Sequence, residues 1–204
     1  FNIFKLYYYF MIAKIWVISS IFLILVLLPI NIFPFNEGFY KLEGNEKIEF
    51  SKVLNYLENG AEVESDFFNS KEREHLRDVR MIFLIIDALL IISILSLFIS
   101  SYILKKKEFL DGLMKGGYIS LGFVVILGLI SFLDFNFIFI KFHEIVFTNN
   151  LWMLDPNKDN LIRLLPQEIF FDILKRSLLL SFVGSLSLLF ISFSQKSFRF
   201  HFRD

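Results

Sequence analysis

Apolar residues fall into four long runs, separated by stretches where charge and polarity dominate. The runs cover residues 15–34, 80–104, 117–140 and 174–194, for example IWVISSIFLILVLLPINIF and MIFLIIDALLIISILSLFISSYIL. A helix needs roughly 20 apolar residues to cross the hydrocarbon core of a bilayer, and each run meets that length. The pattern predicts an all-α membrane protein with four transmembrane helices and a small cap formed by the two longer polar loops, 35–79 and 141–173. The first run is too long for a signal-peptide core, and no small-residue cleavage site follows it. The chain opens on Phe1, and Met11 stands just before the first span, which leaves residues 1–10 open to reading as an upstream extension.

Charge then orients the spans, because Lys and Arg accumulate on the cytoplasmic side. Lys5 and Lys14 precede the first run, Lys105, Lys106, Lys107 and Lys115 lie in the link 105–116, and Lys196, Arg199 and Arg203 lie in the tail 195–204. Segments 1–14, 105–116 and 195–204 are therefore expected in the cytoplasm, with both long loops outside. The first loop is acidic, carrying Glu37, Glu43, Glu46, Glu49, Glu58, Glu62, Glu64 and Asp66. Within it, SKVLNYLENG reads as a short helix with Leu54 and Leu57 on its apolar face and Gly60 as its stop.

Composition narrows the chemistry. Of 204 residues 55% are hydrophobic, the net charge is zero and cysteine is absent. Disulfides, thiolate metal sites and a cysteine nucleophile are excluded, and nothing points to nucleic acid. A nucleophile elbow, a zincin helix, a phosphate loop and a dinucleotide fingerprint are also missing.

Of the three histidines, His201 sits in the basic tail. His75, in KEREHLRDVR, and His143, in KFHEIVF, are placed by the topology at one membrane boundary. The first stretch reads as a helix start with Ser70 as N-cap, so that Arg73 occupies N3 and no acidic capping-box partner is present. At 100° per residue, His75, Asp78, Val79 and Ile82 share one face, and Arg73, Arg77 and Arg80 the opposite one. The second stretch offers Phe142, Phe147 and Trp152 as interfacial anchors. After it, Asp155-Pro156-Asn157 signals a turn, and Leu161 to Leu165 before Pro166 reads as a short interfacial segment. Asp155, Asn157 and Asp159 imitate the opening of a calcium loop, but the glycine and glutamate of that loop are missing, so an Asx-stabilised turn is expected. Asp87 and Asp134, inside or near spans, are assigned structural roles. His75, Asp78 and His143 also have the composition of a three-ligand zinc site, although the spacing does not require one.

EREHLRDVR, FHEIVFTNNLWMLDPNKDNLIRLLPQEIFF and the upstream FYKLEG, VLNYLENG and DFFNSKE together resemble the bacterial lipoprotein intramolecular transacylases, over roughly residues 15–196. The F-H-x-x-x-F, N-x-x-W, D-P, D-x-L-I and L-P-x-x-x-F elements carry the resemblance. It implies an enzyme of the bacterial cytoplasmic membrane that takes diacylglyceryl-modified lipoproteins as substrates within a phospholipid environment. Such an enzyme moves the sn-2 acyl chain to the α-amino group of the N-terminal cysteine, giving a lyso-form lipoprotein. The two family histidines match His75 and His143.

Amine and ester belong to one substrate, so no covalent nucleophile or cofactor is called for. What the reaction needs is positioning and proton movement. His143 is the expected base and His75 the expected acid, with exchanged roles open. Glu144 or Asp78 would orient an imidazole, and Asn149, Asn150 or Arg80 would steady the oxyanion. Two rival readings are a metal-dependent membrane lipid hydrolase and a non-enzymatic assembly or binding protein working through the acidic loop.

Overall fold

A computed structural model describes residues 3–40, 42–63 and 65–198. Glu64, Arg199, His201 and Arg203 lie outside the described residues. Among the described residues seven α-helices account for the architecture: α1 (Ile3–Ile32), α2 (Gly44–Asn59), α3 (Ser70–Ile103), α4 (Lys106–Leu133), α5 (Phe135–Val146), α6 (Asn160–Leu164) and α7 (Gln167–Phe198). Among the described residues there is no strand. Four stretches of the described residues are helical, long and apolar enough to cross a membrane: Tyr8–Phe35, Ser70–Ile103, Lys106–Leu133 and Gln167–Gln195. This is an all-α, multi-pass membrane protein.

Three expected boundaries move. The basic link 105–116 is almost entirely helical, because the Lys105 carbonyl accepts from Glu108 and Phe109 and starts α4 at once. The apolar run 117–140 is not one helix. Asp134 interrupts it, with its Oδ1 accepting from the Phe137 amide at 2.9 Å, and so caps α5 as a separate helix. A carboxylate in an apolar run can satisfy orphan amides only at a helix start. The fourth span, α7, begins at Gln167 rather than 174, directly after Pro166, a residue suited to the start of a helix and not to its interior.

The chain divides into two compact units. The bundle unit (Phe1–Ile30, Asp87–Gly128 and Arg176–Asp204) packs through small residues. A Cβ placed on Gly112 would meet Val17 at 2.8 Å, and one on Gly116 would meet the Ile18 carbonyl oxygen at 2.9 Å. Without a hydrophobic driving force in lipid, such close backbone approach is what joins helices. Buried serines return their hydroxyls to their own helix, Ser120 to Gly116 and Ser185 to Ser181. Lys14 and Lys115 both pair with Asp111.

The cap unit (Asn31–Ile86 and Leu129–Lys175) has a core of its own. Phe50, Val53, Leu54 and Leu57 of α2 meet Phe68, Leu76 of α3, and Leu161 and Leu164 of α6. Each such side chain stabilises by about 1.5–3 kcal/mol when buried. Gly60 stops α2 as expected. It stands at φ 74° and donates to the Tyr56 carbonyl, a left-handed position that glycine adopts without penalty. Both candidate histidines belong to this unit.

Candidate functional site

His75 lies in the second turn of α3 and His143 in the last turn of α5, and they are 7% and 9% exposed. Their ring centroids are 6.2 Å apart. The Phe139 carbonyl oxygen lies 2.7 Å from Nδ1 of His143. A carbonyl can only accept, so Nδ1 carries the proton and the Nε2 lone pair is left open. Burial pushes the His143 imidazole below its ordinary value, with the Phe139 contact opposing in part. Nδ1 of His75 is buried without a partner. Aromatic rings enclose the pair. Phe147 lies 5.1 Å from His75 and 5.5 Å from His143, and Trp152 lies 4.9 Å from His143, tilted by 34°. Phe139 and Phe142 close further sides of the His143 ring.

A polar clasp holds together the two segments that carry these rings. The N-cap of α3 is Asn69, not Ser70. Its side chain accepts from the Glu72 amide at 3.1 Å, while Glu72 accepts from the Asn69 amide at 2.7 Å. That reciprocal pair is the capping box the sequence reading found lacking, shifted by one residue. The second carboxylate oxygen of Glu72 accepts from the Leu161 amide at 2.5 Å, so one fully buried side chain caps α3 and α6 together. Asn69 donates to Asp159, Asn160 donates to the Phe67 carbonyl, and Lys71 donates to the Met153 carbonyl.

A family model described as lipoprotein intramolecular transacylase Lit matches residues 10–171. The chain belongs to the Lit family. It is accordingly a membrane acyltransferase concerned with lipoprotein maturation. The structure of the membrane integral lipoprotein intramolecular transacylase Lit from Bacillus cereus matches with a TM-score of 0.81 at 23% identity, covering 94% of this chain and 99% of that one. A variant of that protein with a histidine replaced by alanine matches with a TM-score of 0.76 at 21% identity, covering 98% and 100%. At such identities the likeness concerns the fold. No curated protein matches the chain.

For this Lit family member the other expected site residues divide. Asp78 accepts from Asn149 at 2.9 Å, and Asn149 in turn accepts from the Leu151 amide, so both fix the loop beside the rings. Trp152 stacks on His143 as described. Glu144 does not orient an imidazole, because it is exposed and ion-paired to Lys141 at 2.6 Å. The Phe139 carbonyl takes that place. Arg80, on the face of α3 away from the histidine, reaches the end of α2, with its guanidinium 5.6 Å from the Tyr56 ring centroid and against Gly60.

Asn150 is exposed, and its carbonyl accepts from the Met153 amide. Asp155 makes the expected Asx turn, accepting from the Asn157 amide. Among the described residues no three His, Asp or Glu side chains form a group able to hold a metal, so His75, Asp78 and His143 are not a three-ligand set. Glu72, Asn69 and Phe139 were not anticipated, and Asp159 was read only as part of a turn. The spacing Asn69-x-x-Glu72 was the one available signal among them.

Proposed function

We propose that this chain moves the sn-2 acyl chain of a diacylglyceryl-modified lipoprotein to the α-amino group of its N-terminal cysteine, with His143 and His75 handling the protons. The observation that carries this reading is the pair of buried imidazoles, 6.2 Å apart, in an aromatic surround. With Nδ1 committed to Phe139, His143 offers a lone pair to the attacking amine. His75, with its ring centroid 6.2 Å away, is assigned delivery of a proton to the departing sn-2 oxygen, replaced by the one His143 takes from the amine. Intramolecular positioning contributes up to about 7–11 kcal/mol, so no covalent intermediate is required. Charge bias supports cytoplasmic termini and an extracytoplasmic site, where matured lipoproteins present their amines.

The test is mass spectrometry of a lipoprotein N-terminal peptide from transacylase-deficient cells with and without this gene. An N-acyl, monoacylglyceryl peptide of unchanged mass, recognised by fragmentation, is expected. Loss of one acyl chain would replace transfer by hydrolysis, and an unaltered peptide would favour an assembly or binding role.

Protonation gives a second test. His143 is held neutral below the ordinary imidazole range, so its base function is present at neutral pH and is lost only as pH falls through that depressed value. The substrate ammonium imposes a separate limb near its own pKa of about 7.7–8.0. NMR of histidine-labelled protein in micelles, assigned with His143→Ala, should give a midpoint below 6.5 and the Nδ1–H tautomer. A midpoint at or above the ordinary value with Nε2 protonated would remove His143 as base.

A further inference from the structure

We propose that the aromatic wall around the imidazole pair, with Phe147 and Trp152 as its decisive members, keeps water from the acyl carbon and so holds the enzyme to transfer rather than hydrolysis. This rests on the acyl-transfer reading above. In the productive reaction the amine nitrogen bonds to the acyl carbon, the bond from that carbon to the sn-2 oxygen breaks, and a proton passes from nitrogen to that oxygen. If water replaces the amine, the same bond breaks and the same oxygen takes the proton. A free fatty acid then departs carrying the oxygen of the water.

The same histidine base would serve either nucleophile. The amine also has to close a medium-sized ring, through Cα, Cβ, the thioether sulfur, two glyceryl carbons and the ester oxygen, so its advantage over water is not automatic. Access decides between them.

The geometry points to these two side chains. Phe147 contacts both imidazoles, is 8% exposed itself, and fills the space beside the pair. Trp152 lies across the His143 ring. Four aromatic side chains besides His75 lie against His143. Neither Phe147 nor Trp152 depends on its side chain for its backbone position. The Phe147 amide closes α5 on the His143 carbonyl at 2.9 Å, and the Trp152 carbonyl accepts from Leu154 at 2.9 Å. Truncating either ring therefore opens the wall without undoing the helix end or the turn. Both act as specificity-determining residues.

The experiment incubates the full chain, detergent-solubilised, with a synthetic diacylglyceryl lipopeptide in water enriched in heavy oxygen. N-acyl peptide and labelled fatty acid are quantified together. Phe147→Ala and Trp152→Ala should raise the labelled-acid fraction by about tenfold or more over wild type, equivalent to ~1.4 kcal/mol between the two barriers. Phe147→Leu and Trp152→Phe, which keep apolar bulk, should stay near wild type. Should an alanine variant fail to fold, Phe147→Val and Trp152→Leu should give a smaller rise that still exceeds that of Phe147→Leu and Trp152→Phe.

Slower transfer with no rise in labelled acid would overturn the proposal, as would equal leakage from the bulky and truncated variants. His143→Ala separates this from the reading beneath it: loss of both products upholds the base, whereas wild-type turnover removes the base and leaves the partition in the aromatic variants to be judged on its own.

Discussion

His143→Ala is expected to lower formation of the N-acyl peptide by roughly 10²–10⁴-fold, the usual worth of a positioned acid or base, while leaving the protein in the membrane fraction. His75→Ala should fall in the same range. Each imidazole is buried among rings and belongs to no described ion pair, so removing it opens space without stranding a charge. The Phe139 carbonyl that meets Nδ1 of His143 retains its place in α5. If the two histidines pass protons within one event, the double variant should be little worse than the poorer single one, because residues acting as a unit are not additive. Multiplied losses would instead show two independent contributions. Wild-type rates in both single variants would remove the histidines from the reaction.

Glu72→Ala should be the most destabilising single change in the cap unit. It would strip partners from the Asn69 and Leu161 amides and leave both starved of an acceptor. Hydrogen bonds to a carboxylate are worth about 1.5–3 kcal/mol each, so roughly 3–6 kcal/mol is at stake. Glu72→Gln keeps one accepting oxygen and turns an amide NH₂ toward the other donor, so it should recover about half. Thermal unfolding followed by Trp152 fluorescence in a Trp16→Phe background would read the cap unit alone, since the chain has two tryptophans. A loss below about 1 kcal/mol would mean that the clasp is bridged by water and carries little weight.

Much of this was legible in the sequence, for identifiable reasons. Apolar run length reveals bilayer-spanning helices regardless of how they pack, and Gly60 announced the end of α2 through its backbone freedom. His75 and His143 are far apart in the chain, and only the span count brought them to one boundary. What was misplaced turns on competition between neighbours. Asn69 and Ser70 are both good caps, and only the reciprocal bonds with Glu72 decide for Asn69. Asp134 was given a structural role near the end of a span, but the run 117–140 was read as continuous through it, although it starts a new helix. Glu144 and Asp78 were equal candidates for orienting an imidazole. The actual partner of His143 is a main-chain carbonyl, a group that every residue possesses and that no side-chain pattern can single out.

The clasp also fixes an order of assembly. Glu72 and its Leu161 donor are separated by 89 residues, and Asn69 lies 90 before Asp159. When α3 leaves the ribosome, its buried carboxylate has only the local half of its partners. The other half does not exist until α4 and α5 have been made. His75 therefore has no counterpart until α5 has been made, and the segment that carries it is clasped only once α6 follows.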